Sequence, residues 1–122
     1  MTLHLGLDLG GTNIKAAVLQ RNDEEFEVVA ADSTQTEAAS GPEIVTRNLI
    51  MIARRIAEDI DPVDTVGLGV PGHFDRETGR IIIFPNLPGD WPGYNLRDEI
   101  HNALATPEQR VWRGSWESHP EG

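Results

Sequence analysis

At 122 residues the chain amounts to one domain or part of one, long enough to bury roughly two thirds of the surface its unfolded form exposes. A formal net charge of −10, with acids spread along the whole length, argues against a nucleic-acid surface, because phosphate binding needs clustered cations. Cysteine is absent, which excludes disulfides and thiolate metal sites here, and no run of about twenty apolar residues offers a membrane span.

The first strand-like stretch follows Met1 closely enough to leave no room for a signal or transit peptide, so the expected compartment is the cytoplasm. His4, His73, His101 and His119 are scattered without metal-ligand spacing. Lysine occurs once, at Lys15, and every other cation is arginine.

Leu3, Leu5, Leu7 and Leu9 alternate with His4, Gly6 and Asp8, a period of two that predicts a strand with Asp8 on the face opposite the leucines. Gly10-Gly11-Thr12 predicts a tight turn in which glycine supplies positive φ. Strands are expected at residues 13–19 and about 24–31, giving an antiparallel meander with a polar turn at 21–23. Residues 34–40 read as loop.

Ser40 and Glu43 have capping-box spacing and Pro42 suits a first helical turn, so a helix is expected to start there. Val45, Leu49, Ile52 and Ile56 fall on one face of it, and Asp61-Pro62 ends it. Residues 64–70 predict a buried strand whose glycines allow close backbone approach, closed by Pro71-Gly72. A turn at 76–79 leads to a strand at 80–84. Residues 85–93 are too rich in proline to be other than a shaped loop, and Asn95 is placed to cap a helix over 96–104. The order gives a mixed α/β sheet, three antiparallel strands extended by a parallel one, with flanking helices.

The turn after Asp8 presents backbone N–H groups unobstructed by side chains, a concave donor set that suits phosphate oxygens. Thr12 adds a hydroxyl, with Asn13 and Lys15 just beyond it. Asp8 accepts only, so beside phosphate it makes sense with Mg²⁺ between them, reached through water. The plainer alternative is a glycine-rich hairpin whose Asp8 caps its own turn. The spacing is neither a Walker loop nor a dinucleotide fingerprint.

"LGLDLGGTNIKAAVL" resembles the first phosphate motif of the ROK family of sugar kinases and repressors, and "VGLGVPGHFDRETGRIIIFPNLPGDW" resembles the same family's sugar-side segment. The resemblance runs from about Leu3 to Pro107. It implies the N-terminal lobe of an actin-like, hexokinase-like (ribonuclease H-like) ATPase fold, and a glucokinase-like activity using ATP and Mg²⁺. By the same resemblance Asp8, Gly10, Gly11, Thr12, Asn13 and Lys15 face the nucleotide phosphates and the metal. The Pro71-Gly72 turn and the Asn86 side chain are implied to contact hydroxyls of a hexose. Asn86 can instead hold its loop as an Asx-turn, and Trp91 can pack the loop down or stack on a sugar. Asp75 and Asp90 read as turn-formers. The implied partners are a sugar and a nucleotide, with no nucleic acid and no membrane, and full-length relatives are expected to be homo-oligomers. The family's repressors carry a helix-turn-helix ahead of the phosphate motif, so the kinase branch is favoured.

The family's catalytic base is an aspartate in an Asn-Asp pair on the strand after the helix at 96–104. Here "EQRVWRGSWESHPEG" follows and contains no such pair. The second phosphate motif, the adenosine region and the family's zinc site are not in this chain. Residues 1–107 are therefore expected to form an incomplete kinase lobe. Residues 108–122 are expected to be an atypical tail, frameshifted or disordered. The expected function is that of a hexose-kinase fragment, inactive for want of its base. A non-catalytic binding or regulatory fragment and a repressor remnant are the alternatives.

Overall fold

A computed structural model describes residues 1–105 and 111–112. A four-stranded sheet is built from β1 (Thr2–Leu9), β2 (Asn13–Asn22), β3 (Glu25–Gln35) and β4 (Thr65–Gly69) in the order β3-β2-β1-β4. The first three form the expected antiparallel meander, and β4 joins β1 in parallel. Between β3 and β4 the chain crosses over through α1 (Pro42–Ala57). A short hairpin, β5 (His73–Phe74) with β6 (Ile81–Ile83), precedes α2 (Leu96–Leu104).

The leucines of β1 and Ile14, Ala16 and Val18 of β2 are buried on one face of the sheet. They share the core with Val45, Leu49 and Ile52 of α1, three of the four residues of the expected helical stripe, and with Ala53, while Ile56, the fourth, is partly buried. The opposite face carries Gly6, Asp8 and Lys15 and is exposed. Pairing Asp8 with Lys15 and Gly6 with Ala17 keeps the small and charged residues together on that side.

Four expectations are corrected. The Ser40 capping box does not form: Ser40 ends a 3₁₀ turn (Ala38–Ser40), and the residue before α1 is Gly41 at φ 91, without a side-chain cap. Neither Gly10 nor Gly11 is among the residues at positive φ. Residues 34 and 35 belong to β3 rather than to a loop, because Thr34 pairs with Ile14 and Gln35 with Asn13. β4 is only half-buried, since it lies at the sheet's edge and alternates intermediate with exposed positions.

The Asn95 cap forms as expected: its Oδ1 accepts the Asp98 backbone N–H at 3.2 Å. Val111 and Trp112, in the stretch read as a tail, are buried beside Val63 and Asp64, just ahead of β4. The N–H of Val63 donates to the Val111 carbonyl at 2.8 Å, and Trp112 Nε1–H donates to the Asp64 carbonyl at 3.1 Å. The remainder of that stretch lies outside the described residues.

Candidate phosphate-turn site

β1 and β2 meet in a turn closed by the Gly10 N–H donating to the Asn13 carbonyl at 3.0 Å. A Cβ on Gly10 would stand 2.6 Å from that same carbonyl oxygen, so close packing, not positive φ, requires the glycine. A Cβ on Gly11 would meet nothing within 4 Å. The Gly11 and Thr12 amides donate to no group among the described residues. An open glycine beside two uncommitted amides is a donor surface that an anion can reach.

Asp8 and Lys15 face each other across the β1–β2 ladder, both exposed. Among the described residues, the side chains of Asp8, Thr12, Asn13 and Lys15 make no hydrogen bond, and Asp8 forms no ion pair. Asp8 therefore does not cap its own turn. An open cleft of about 700 Å³ is lined by Asp8, Lys15, Ala17, Ala31 and Ser33 along with their neighbours. A smaller hollow of about 270 Å³ adjoins Gly11, Thr12, Asn13 and Glu37.

A single unpartnered carboxylate beside a donor turn fits Mg²⁺, which keeps most of its waters and takes few protein ligands. It does not make an all-protein cage, and no cluster of three or more His, Asp or Glu occurs among the described residues.

The parallel register places Asp8 beside Gly69, and the next three residues of the chain reach Pro71-Gly72. The phosphate turn and the start of the sugar-side segment thus leave the same end of the sheet. Gly72 is fixed by crowding: a Cβ would overlap the Ile83 carbonyl and stand 2.8 Å from Phe84 Cδ1. Asn86 is exposed, and its side chain forms no hydrogen bond among the described residues, so the Asx-turn is not present.

Trp91 packs its loop down. It is 1% exposed, lies 4.8 Å from the Phe84 ring and donates from Nε1 to the Pro88 carbonyl at 3.2 Å. Asp75 forms a turn, accepting the Glu77 N–H at 2.9 Å. The chain's own Asn-Asp pair, Asn22-Asp23, lies in the β2–β3 turn, at the other end of β2 from the phosphate turn.

Sequence reasoning passed over Thr36, Glu37 and Asn48, which stand behind the turn. The available signal was Asn48, a polar residue within the apolar stripe of α1 and only 2% exposed.

The sequence pattern of the ROK family matches residues 4–109. The glucokinase of Thermotoga maritima is 36% identical over 98 residues, covering 79% of this chain and 29% of that protein. An N-acetyl-D-glucosamine kinase of Haemophilus influenzae is 35% identical over 77 residues, covering 63% of this chain and 24% of that protein. Among solved structures, a ROK hexokinase from Thermus thermophilus superposes with a TM-score of 0.72 at 30% identity, over 86% of this chain and 33% of that one. A Streptomyces griseus ROK glucokinase in complex with glucose and AMPPNP gives 0.68 at 26% identity, over 86% and 31%. This chain spans about a third or less of the length of these relatives. The mixed sheet and its crossover helix are those of the actin-like ATPase fold of ROK sugar kinases. The chain belongs to the ROK family.

Proposed function

We propose that the chain is the phosphate-binding lobe of an ATP-dependent, glucokinase-like hexose kinase, and that these residues alone bind without transferring a phosphoryl group. The observation that carries the reading is the β1–β2 turn, where the uncommitted amides of Gly11 and Thr12 lie next to the unpartnered carboxylate of Asp8. The Gly11 and Thr12 amides and the Thr12 hydroxyl donate to phosphate oxygens, and Lys15 adds positive charge from the second strand. Asp8 is the residue that would hold Mg²⁺, which would neutralise charge on the phosphates. Gly72 leaves room for the loop after β4, and Asn86, a short amide on a rigid proline loop, can donate to one sugar hydroxyl and accept from its neighbour.

Transfer needs a base beside the acceptor hydroxyl and closure that excludes water. Among the described residues after α2, Val111 and Trp112 lie beside Val63 and Asp64, at the end of β4 away from the phosphate turn, and neither can serve as a base.

Titrating the chain with the nonhydrolysable ATP analogue AMPPNP and Mg²⁺, with amide NMR as the readout, tests the reading. Shifts are expected at Gly11, Thr12 and Asn13, weakened at least about tenfold in Asp8→Asn. With glucose and ATP, no ADP above background is expected. Absence of shifts at the turn would count against the site, and turnover by the chain would overturn the claim that it only binds.

A further inference from the structure

The Gly10–Thr12 turn has one backbone bond of its own, from the Gly10 N–H to the Asn13 carbonyl, and its glycines add no stiffness. It is held from behind by residues that do not face the donor side. Thr36, 0% exposed, reaches the turn twice: its N–H donates to the Thr12 carbonyl at 2.9 Å, and its Oγ1–H donates to the Gly10 carbonyl at 2.8 Å. Asn48, 2% exposed on α1, donates from Nδ2 to the Thr36 carbonyl at 3.1 Å and to Glu37 Oε2 at 2.7 Å. The backbone between strand and helix passes through Glu37 at φ 58 and ψ 48, a left-handed conformation uncommon away from glycine.

Each of these side chains satisfies a backbone carbonyl that an apolar group of similar shape would leave unpaired, so both bonds contribute stability as well. What the pair fixes is direction. A trans peptide is planar, with its N–H pointing opposite its C=O, so pinning the Gly10 carbonyl on Thr36 aims the Gly11 N–H to the other side. We propose that Thr36, supported by Asn48, is a positioning residue that orients the Gly11 amide toward a bound phosphate. The proposal rests on the phosphate reading of the turn given above.

The test compares wild type, Thr36→Val and Thr36→Ser in the full chain, by residue-resolved amide hydrogen exchange and by titration with inorganic pyrophosphate and Mg²⁺. In Thr36→Val the Gly10 and Thr36 amides should exchange about tenfold faster, beyond any change at the slowest amides of β1 and β2. Pyrophosphate affinity should fall by a similar factor, and Thr36→Ser should restore both. The same factor at turn and core is what a merely structural role gives, and it would overturn the proposal. If Thr36→Val does not fold, wild type decides. Gly10 and Thr36 amides as slow as the strand core support the lock, and amides more than about tenfold faster overturn it. Failure of wild type to bind pyrophosphate would remove the phosphate reading itself. The exchange comparison would still decide whether Thr36 holds the turn.

Discussion

Gly10 and Gly11 are adjacent in sequence yet obey different constraints. Gly10 has the Asn13 carbonyl where its Cβ would be, whereas Gly11 faces open space. Gly10→Ala should therefore destabilise the chain by about 1–3 kcal/mol through a forced backbone shift. Gly11→Ala should stay within about 0.5 kcal/mol of wild type. Urea unfolding of both variants checks this, and equal losses would mean that the turn is not packed as described. Trp91 belongs to the same scale. Its indole fills the space between Phe84 and Tyr94, so Trp91→Ala should cost about 3–5 kcal/mol, a loss that a solvent-facing sugar platform would not produce.

At the scale of elements, the two helices begin differently. α2 starts on Asn95, whose side chain accepts one otherwise unpaired N–H and donates to the Thr78 carbonyl at 3.1 Å. α1 starts on Gly41, with Pro42 needing no partner for its nitrogen. Asn95→Ala should lower stability by about 1 kcal/mol, while Ser40→Ala should leave it unchanged, as thermal or urea melts would show. Capping-box spacing was legible at Ser40, but the 3₁₀ turn that consumes Ser40 arises from Glu37 and its bond to Asn48, a contact between α1 and the end of β3. Tyr94 joins α1 to the loop ahead of α2, donating to Thr46 Oγ1 at 3.0 Å. Burial, helped by the charges of Glu99 and Glu43, raises its pKa above the ordinary 10.0. Because the folded state holds this proton more tightly, the contribution is whole below about pH 10 and is lost as pH rises through the folded pKa. Tyr94→Phe should therefore show a shallower fall in stability above about pH 10 than wild type, measured by urea melts across that range.

For the whole molecule, the exposed sheet face sets behaviour. Phe26 is 60% and Val28 59% exposed on edge strand β3, and Ile82 and Ile83 of the hairpin are exposed as well. Apolar groups on an open edge favour association and a modest melting point. Val28→Lys should reduce concentration-dependent association in sedimentation without lowering the melting temperature. A cooperative melt of wild type above about 60 °C would contradict the expected marginal stability.

How much was legible follows from which interactions are local. The alternation of Leu3 to Leu9, the stripe at Val45, Leu49 and Ile52, and the Asn95 cap are periodicities or near-neighbour contacts, so the sequence alone determined the meander, both helices and the position of the Asp8–Lys15 motif. Partners distant in the chain had to be brought together by folding. The crossover through α1 set Asn48 behind Thr36, the parallel register set Gly69 beside Asp8, and the sheet order left β4 at an edge, with Val111 and Trp112 against Val63 and Asp64 just before it. Tertiary structure also decided that Gly72 is required by the Ile83 carbonyl, eleven residues on, and not by its φ. The reason is that steric exclusion between residues depends on where both backbones finally lie, which no single-residue preference encodes.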